Sequence, residues 1–326
     1  MKKTLKRILC IALVAALVMS LAGCAKMNYI TNGTIKAINE VKSGEWKEGG
    51  AEGGAEEADA TDDIAIDELK PGTYGVVDFQ TIDDVVKYYV EAYDYTKSLT
   101  AEYIQEDGTT ATFYKLLGDE KLDIGDVIID GSKNAIVNNL VPTIAGGLFK
   151  PNAYGLVPCN NKNPEDDNNF GDDKKKADHD FRTSDLTAED ILAANVVDNG
   201  DGTITLTIQP KGAEMSTRGD DSQGRFFEVL GDVSGVVKDI SQVSFTEGTA
   251  DDNVKVTYKG GTGIIKIDTK TKEITEADYT MKTEVKVTHA SIAVLKDKSA
   301  NLSITYTNHY PASDDYLKDE RGITRK

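Results

Sequence analysis

The sequence predicts an α+β fold: a large curved antiparallel β-sheet, half-barrel-like, packed on one or two helices. Three observations carry this. From Thr275 to His289 the residues alternate for over a dozen positions, with Ala277, Tyr279, Met281, Thr283, Val285 and Val287 on one side and Glu276, Asp278, Thr280, Lys282, Glu284 and Lys286 on the other. That period of two marks a strand with one buried face and one wet face. Turn signals and shorter alternating segments follow each other at regular spacing around it, as in an antiparallel meander. The helical patterns lie mostly before this meander, and that separation argues α+β. At roughly 3.3 Å per residue the long stretch would run about 45 Å, so its apolar side needs a cover.

The N-terminus supplies an address. Lys2, Lys3, Lys6 and Arg7 precede an apolar run from Ile8 to Leu17 and then Leu21-Ala22-Gly23-Cys24. A charged start, a short apolar core and a small-residue cleavage site make a secretory signal, too short to span a membrane. The Leu-Ala-Gly-Cys ending resembles the lipobox of bacterial lipoproteins, which implies cleavage before Cys24 and acylation of that residue. Each buried CH₂ of an acyl chain is worth about 0.8 kcal/mol, and more than one chain anchors stably. The expected division is therefore 1–23 as lipoprotein signal peptide, 24–63 as lipid anchor and flexible acidic tether, and 64–326 as a single α+β globular domain.

Charge and cysteine content exclude some partners. The formal net charge of −18 loses four positive charges with the signal and becomes −22. A chain this acidic lacks the clustered cations that nucleic acid requires. Anionic head groups would also repel it, so the anchor rather than surface charge must hold it at the membrane. Cys10 leaves with the signal and Cys24 is modified, so Cys159 is left alone and no disulfide framework forms within one chain. Cys159 reads as a buried small hydrophobe or an unpaired thiol. Stability must come from a core, and about 260 residues beyond the tether suffice for one.

In chain order, residues 25–42 admit a short helix or no regular element. From Ser43 to Asp63 the composition collapses to Gly, Glu, Ala and Asp, with too little apolar surface to fold. Pro71-Gly72 marks a turn, and Tyr74 to Phe79 reads as a short strand. Thr81 can cap a helix with Asp83 and Asp84 at its positive end. Val85, Tyr89, Ala92, Thr96 and Leu99 then share one face, widened by Tyr88, Tyr93 and Tyr95. This helix is the best candidate to cover the sheet.

Asp107-Gly108 signals a hairpin between Tyr103-Ile104 and Ala111 to Leu117. Leu122 to Ile129 reads as strand or turn, and Ser132 can cap a second short helix from Asn134 to Val141, ended by Pro142. From Tyr154 to Asp180 the chain is polar and loop-like. Leu186 to Ile191 looks like a capped helical turn, and Asp198 to Gly202 turns into a strand carrying Ile204, Leu206 and Ile208 on one face. Gln223 to Leu230 is a weak helical pattern, and Val236 to Phe245 is apolar but ambiguous. Val254, Val256 and Tyr258 share a face, Lys259 to Gly263 reads as a turn, and Ile265 and Ile267 return. After the long strand come Ile292 to Leu295, a turn at Lys296-Asp297-Lys298, and Leu302, Ile304 and Tyr306.

Three blocks resemble a family. Asp84-Val-Val-Lys-Tyr-Tyr-Val-Glu-Ala, Leu186-Thr-Ala-Glu-Asp-Ile with Asp201-Gly-Thr-Ile-Thr-Leu-Thr-Ile, and Ile265 to Met281 together resemble uncharacterised lipoproteins of clostridial-type bacteria over most of residues 70–310. The last block is also similar, at the level of sheet pattern, to LolA- and LppX-type lipid-carrier lipoproteins. That likeness implies a half-barrel that wraps helices and leaves an apolar cavity for acyl chains. It carries over no binding residue, and fold alone does not establish function.

Motifs of catalysis are absent from the sequence: it contains no Gly-x-Ser-x-Gly, no Walker loop, no His-Glu-x-x-His and no Cys-x-x-Cys. His179, His289 and His309 stand in unrelated contexts, and isolated polar or partly buried roles are the default for them; His289 continues the odd face of the long strand. The acidic tract Glu165 to Asp173 puts Phe170 in a ligand slot and is followed by Lys174 to Lys176, so a solvated loop is favoured over a calcium loop. Asp198 to Gly202 is likewise a hairpin turn first. Arg218-Gly219-Asp220 is a three-residue coincidence without adhesive context, and Trp46 in the tether is too isolated for a sugar platform.

The expected activity is therefore non-catalytic binding, without cofactor or metal. In the first reading a hydrophobic small molecule or lipid is held against Tyr279, Met281, Val285 and Val287, with Tyr89 and Tyr93 facing them from the helix. In the second, loops 154–180 and 211–224 on the sheet edges bind a surface protein partner. An enzyme built from residues distant in sequence is the least favoured reading.

Overall fold

The computed structural model describes residues 63–133, 138, 155–157, 184–214, 221–227, 243–292 and 295–326. It opens with a hairpin, β1 (Gly72–Tyr74) and β2 (Val77–Phe79), where the sequence suggested one strand from Tyr74 to Phe79. Gly75 at φ +59° makes the reversal, and its amide donates to the Asp198 carboxylate, tying the hairpin to the main sheet. Helix α1 (Ile82–Ser98) starts at Thr81 in a capping box: the Asp84 amide donates to the Thr81 hydroxyl, and the Thr81 amide donates back to the Asp84 carboxylate. The Thr81 hydroxyl also donates to the Asp84 carboxylate, and that bond foremost, then the Gln80 and Thr81 amides, holds the carboxyl below its ordinary range. Val85, Val86, Tyr88, Tyr89, Ala92 and Tyr93 are buried along α1. Tyr95, expected to widen that face, is 42% exposed. On the helical wheel it falls at the edge of the covered arc, about 20° beyond Tyr88.

A ten-stranded antiparallel sheet, open rather than closed, forms the body of the α+β fold. Its path runs from β7 (Ser132–Lys133) through β6 (Ile128–Ile129), β14 (Leu295–Tyr310), β13 (Ile274–Ile292), β12 (Val254–Asp268) and β9 (Thr203–Pro210) to β8 (Ile191–Asp198). Off that path, β5 (Asp119–Ile124) pairs with β14, β10 (Ala213–Glu214) with β12, and β11 (Val243–Phe245) with β13. Strand β8 was not read from sequence. It follows directly on the short turn Ala188–Asp190, and its two adjacent buried alanines, Ala193 and Ala194, break the alternation at a register shift.

Lys259 to Gly263 is not a turn. It lies inside the continuous 15-residue β12, where the register shifts between Tyr258 and Gly261. Gly260 and Gly261 adopt φ of +94° and +139°, and a Cβ on Gly261 would fall 2.1 Å from the Thr280 carbonyl oxygen. Glycine here lets two long strands stay paired through a bulge instead of parting. Lys296-Asp297-Lys298 likewise lies within β14 rather than forming a turn, with Asp297 at φ +51°. Across from it the register of β13 shifts after Val287, and His289 at φ +50° drops out of the odd-face alternation. Gln223 to Phe227 forms a run of turns rather than a helical start, and residues 228–230 lie outside the described residues, as does the helix expected at 134–141 apart from Asn138.

The register places Ile204, Leu206, Ile208, Ile265, Ile267, Ala277, Tyr279, Met281, Tyr306 and Tyr310 on one face, all buried. Helix α1 lies on that face, and the Thr96 hydroxyl accepts from the Ile274 amide at 2.7 Å. The chain's end builds a smaller layer. Strands β3 (Thr100–Gln105), β4 (Thr110–Tyr114) and β15 (Ile323–Arg325) form a three-stranded sheet beside α3 (Asp314–Arg321). The expected hairpin at Asp107-Gly108 joins the first two, with its second strand ending at Tyr114 rather than Leu117. Tyr103, Tyr114, Leu117, Ala312, Leu317 and Ile323 are its core. A short helix α2 (Ala250–Asn253) leads into β12.

Candidate functional site

The inner face of the sheet divides into two chemically different halves. In the aromatic half, Tyr279 of β13 is 1% exposed and donates or accepts a hydrogen bond with the Tyr89 hydroxyl of α1 at 3.0 Å. Phe226 stacks obliquely on Tyr89 and meets Tyr279 edge-on, with ring centroids 5.5 and 5.4 Å apart, and Tyr310 meets Tyr279 at 90°. Gly263 makes room for Phe226, since a Cβ there would lie 2.5 Å from the ring. Burial drives the phenols of Tyr89 and Tyr279 well above their ordinary range, so both stay protonated and one donates to the other.

Tyr93 is equally buried and caps a second polar contact. Its hydroxyl and the ammonium of Lys97, itself 2% exposed, both donate to the carbonyl of Leu156. The ammonium lies 5.1 Å from the centre of the Tyr114 ring and 5.7 Å from that of Tyr93. Tyr310 donates to the Gly155 carbonyl and accepts from the Val157 amide. These contacts hold Gly155-Leu156-Val157 inside the fold. Nothing in the sequence marked Lys97 as internal, because a lysine on a helix reads as solvated, and Phe226-Phe227 was hidden in a weak pattern.

Four of the six expected lining residues, Tyr89, Tyr93, Tyr279 and Met281, thus pack against the protein's own side chains and backbone, where they act as core. Val285 and Val287 fall in the other half. There Val256, Val285 and Ile304 form a separate aliphatic cluster, with Leu122, Val254, Val287 and Leu302 packed on it and only partly buried. Cross-strand pairing sets this strip: Val254 faces Val287, Val256 faces Val285, and Val285 faces Leu302.

Chemistry outside this face is sparse. His289 contacts the carboxylates of Asp297 at 3.0 Å and Glu247 at 3.8 Å, and His309 contacts Asp278 at 2.6 Å. Both pairs are exposed and lie at opposite ends of the β13–β14 ribbon. The Thr246 hydroxyl donates to the Asp297 carboxylate at 2.8 Å and to the His289 carbonyl, so it shares the carboxylate with His289 rather than facing the imidazole as a nucleophile. Among the described residues no group of three or more His, Cys, Asp and Glu is arranged to hold a metal ion, and no helix is long and apolar enough to cross a membrane. Cys24, Cys159, His179, Trp46, Arg218-Gly219-Asp220 and the acidic tract 165–173 lie outside the described residues. Compared with protein-family profiles, curated proteins and solved structures, the chain matches none of them.

Proposed function

We propose that this chain is a membrane-anchored extracytoplasmic lipoprotein whose folded part is a non-catalytic binding module for a hydrophobic ligand or envelope lipid. The address rests on the charged start, the short apolar run and Leu21-Ala22-Gly23-Cys24. The binding reading rests on one observation. The inner face is filled with interlocking aromatics over one half, while the other half is an aliphatic strip whose Val254, Val287 and Leu302 keep part of their surface free. Contiguous aliphatic surface left by a folded chain marks a place where something apolar binds.

Native mass spectrometry after gentle extraction tests this. A co-purifying lipid or other hydrophobic small molecule, lost in Leu302→Asp, is the expected result; a stoichiometric protein partner with no bound small molecule would replace it with the second reading. That second reading, a surface interaction or scaffold lipoprotein without a ligand cavity, is favoured by a specific observation too: Tyr89, Tyr93, Tyr279 and Met281 are fully packed and offer no room.

A further inference from the structure

The border between the two halves of the inner face carries a polar group that packing leaves unanswered. Thr283 stands on the inner face of β13, opposite Tyr258 of β12 and Ile304 of β14. It is 2% exposed, and its hydroxyl has no hydrogen-bond partner. Two residues before it, Met281 belongs to the aromatic half; two residues after it, Val285 begins the aliphatic strip. A buried hydroxyl that has given up water without a new partner is destabilising, so its position is explained best by a polar atom that arrives from elsewhere.

The strip beyond Thr283 restricts what that atom belongs to. Leu122, Val254, Val256, Val285, Val287, Leu302 and Ile304 are all aliphatic, so an ionised head group buried here would meet no counter-charge from the strip itself. An uncharged oxygen on an aliphatic chain meets both demands, exchanging a hydrogen bond with the threonine while its methylenes lie on the valines and leucines. Size restricts it further. From Thr283 to Val287 the strand rises about 13 Å, and the three spacings from β12 across to β5 span about 14 Å. That area suits one chain better than the two of a membrane diacyl lipid.

We infer that Thr283 is a ligand-binding residue at the aromatic end of the strip, and that the ligand class is an uncharged single-chain amphiphile such as an aliphatic alcohol, ester or undissociated acid. The chain enters with its polar end first. This inference rests on the hydrophobic-ligand reading and names the class that reading would take.

The test measures binding of 1-decanol and of decanoate at pH 8 to the full chain carrying Cys24→Ser, which prevents acylation. Wild-type sequence at 283 should bind decanol at least about tenfold more tightly than decanoate. Thr283→Val, nearly the same shape, should lose about tenfold for decanol and little for decanoate, and Thr283→Ser should restore the difference. The unliganded Thr283→Val protein should melt no lower than its parent, because the orphaned hydroxyl is gone. Failure of both probes to bind would overturn the hydrophobic-ligand function itself. Decanol binding that Thr283→Val leaves unchanged, or equal binding of the two probes, would overturn the role of Thr283 and the uncharged head group while leaving that function standing.

Discussion

At the scale of single residues, a buried lysine and a partly buried tyrosine are the strongest local commitments. Lys97 is held between the Tyr93 and Tyr114 rings with its ammonium on the Leu156 carbonyl. Lys97→Met keeps the length of the side chain and removes the donor, so it should destabilise by about 1–3 kcal/mol in urea unfolding. Replacement of an ordinary solvated helix lysine such as Lys87 should cost within about 0.5 kcal/mol. Tyr316 is the clearest titrating group: burial first, then the neighbouring Glu120 carboxylate, pushes its phenol up to about 12. The folded state therefore holds this proton through a window where the unfolded chain, near pH 10, has released it. Stability from this group is present below pH 10 and falls as pH rises from there toward 12. A chemical-unfolding series across that range should show the decline, and Tyr316→Phe should flatten it.

At the scale of elements, the bulge in β12 is the feature that decides the sheet's length. Gly261→Ala would place a methyl group 2.1 Å from the Thr280 carbonyl at a φ that side chains avoid. A loss of about 3 kcal/mol or more in thermal or urea unfolding is expected, against about 1 kcal/mol for removing the α1 cap with Thr81→Ala. Legibility in sequence followed the same division. The helix from Thr81, the Asp107-Gly108 hairpin and the alternating stretch from Thr275 were readable because each depends on neighbours within a few residues. The glycines at 260–263 carried the signature of a turn, and only the partner strand on each side shows that the chain runs straight through. Strand β8 was missed because its alternation is interrupted at Ala193-Ala194, where the pairing with β9 slips.

At the scale of the whole molecule, the proposed address and the proposed ligand act together. If the acyl chains on Cys24 hold the protein, Cys24→Ser should move it from the membrane fraction to the soluble fraction, while high salt should leave the parent protein on the membrane, since anionic surfaces repel a chain whose net charge of −18 becomes −22 once the four signal cations are removed. The sequence by itself determined the α+β class, the long two-faced strand and the helix laid against it, because hydrophobic period and capping are local patterns. Only the tertiary structure decided which part of the apolar face is core. Tyr89, Tyr93, Tyr279 and Met281 have the same polarity in the sequence as the valines beyond them, and whether they are filled or open depends on Phe226 and Gly155–Val157 arriving from far along the chain. Contacts between residues so distant in sequence leave no period to read, and so the aliphatic strip and the buried Thr283 hydroxyl at its edge emerge only once the chain is folded.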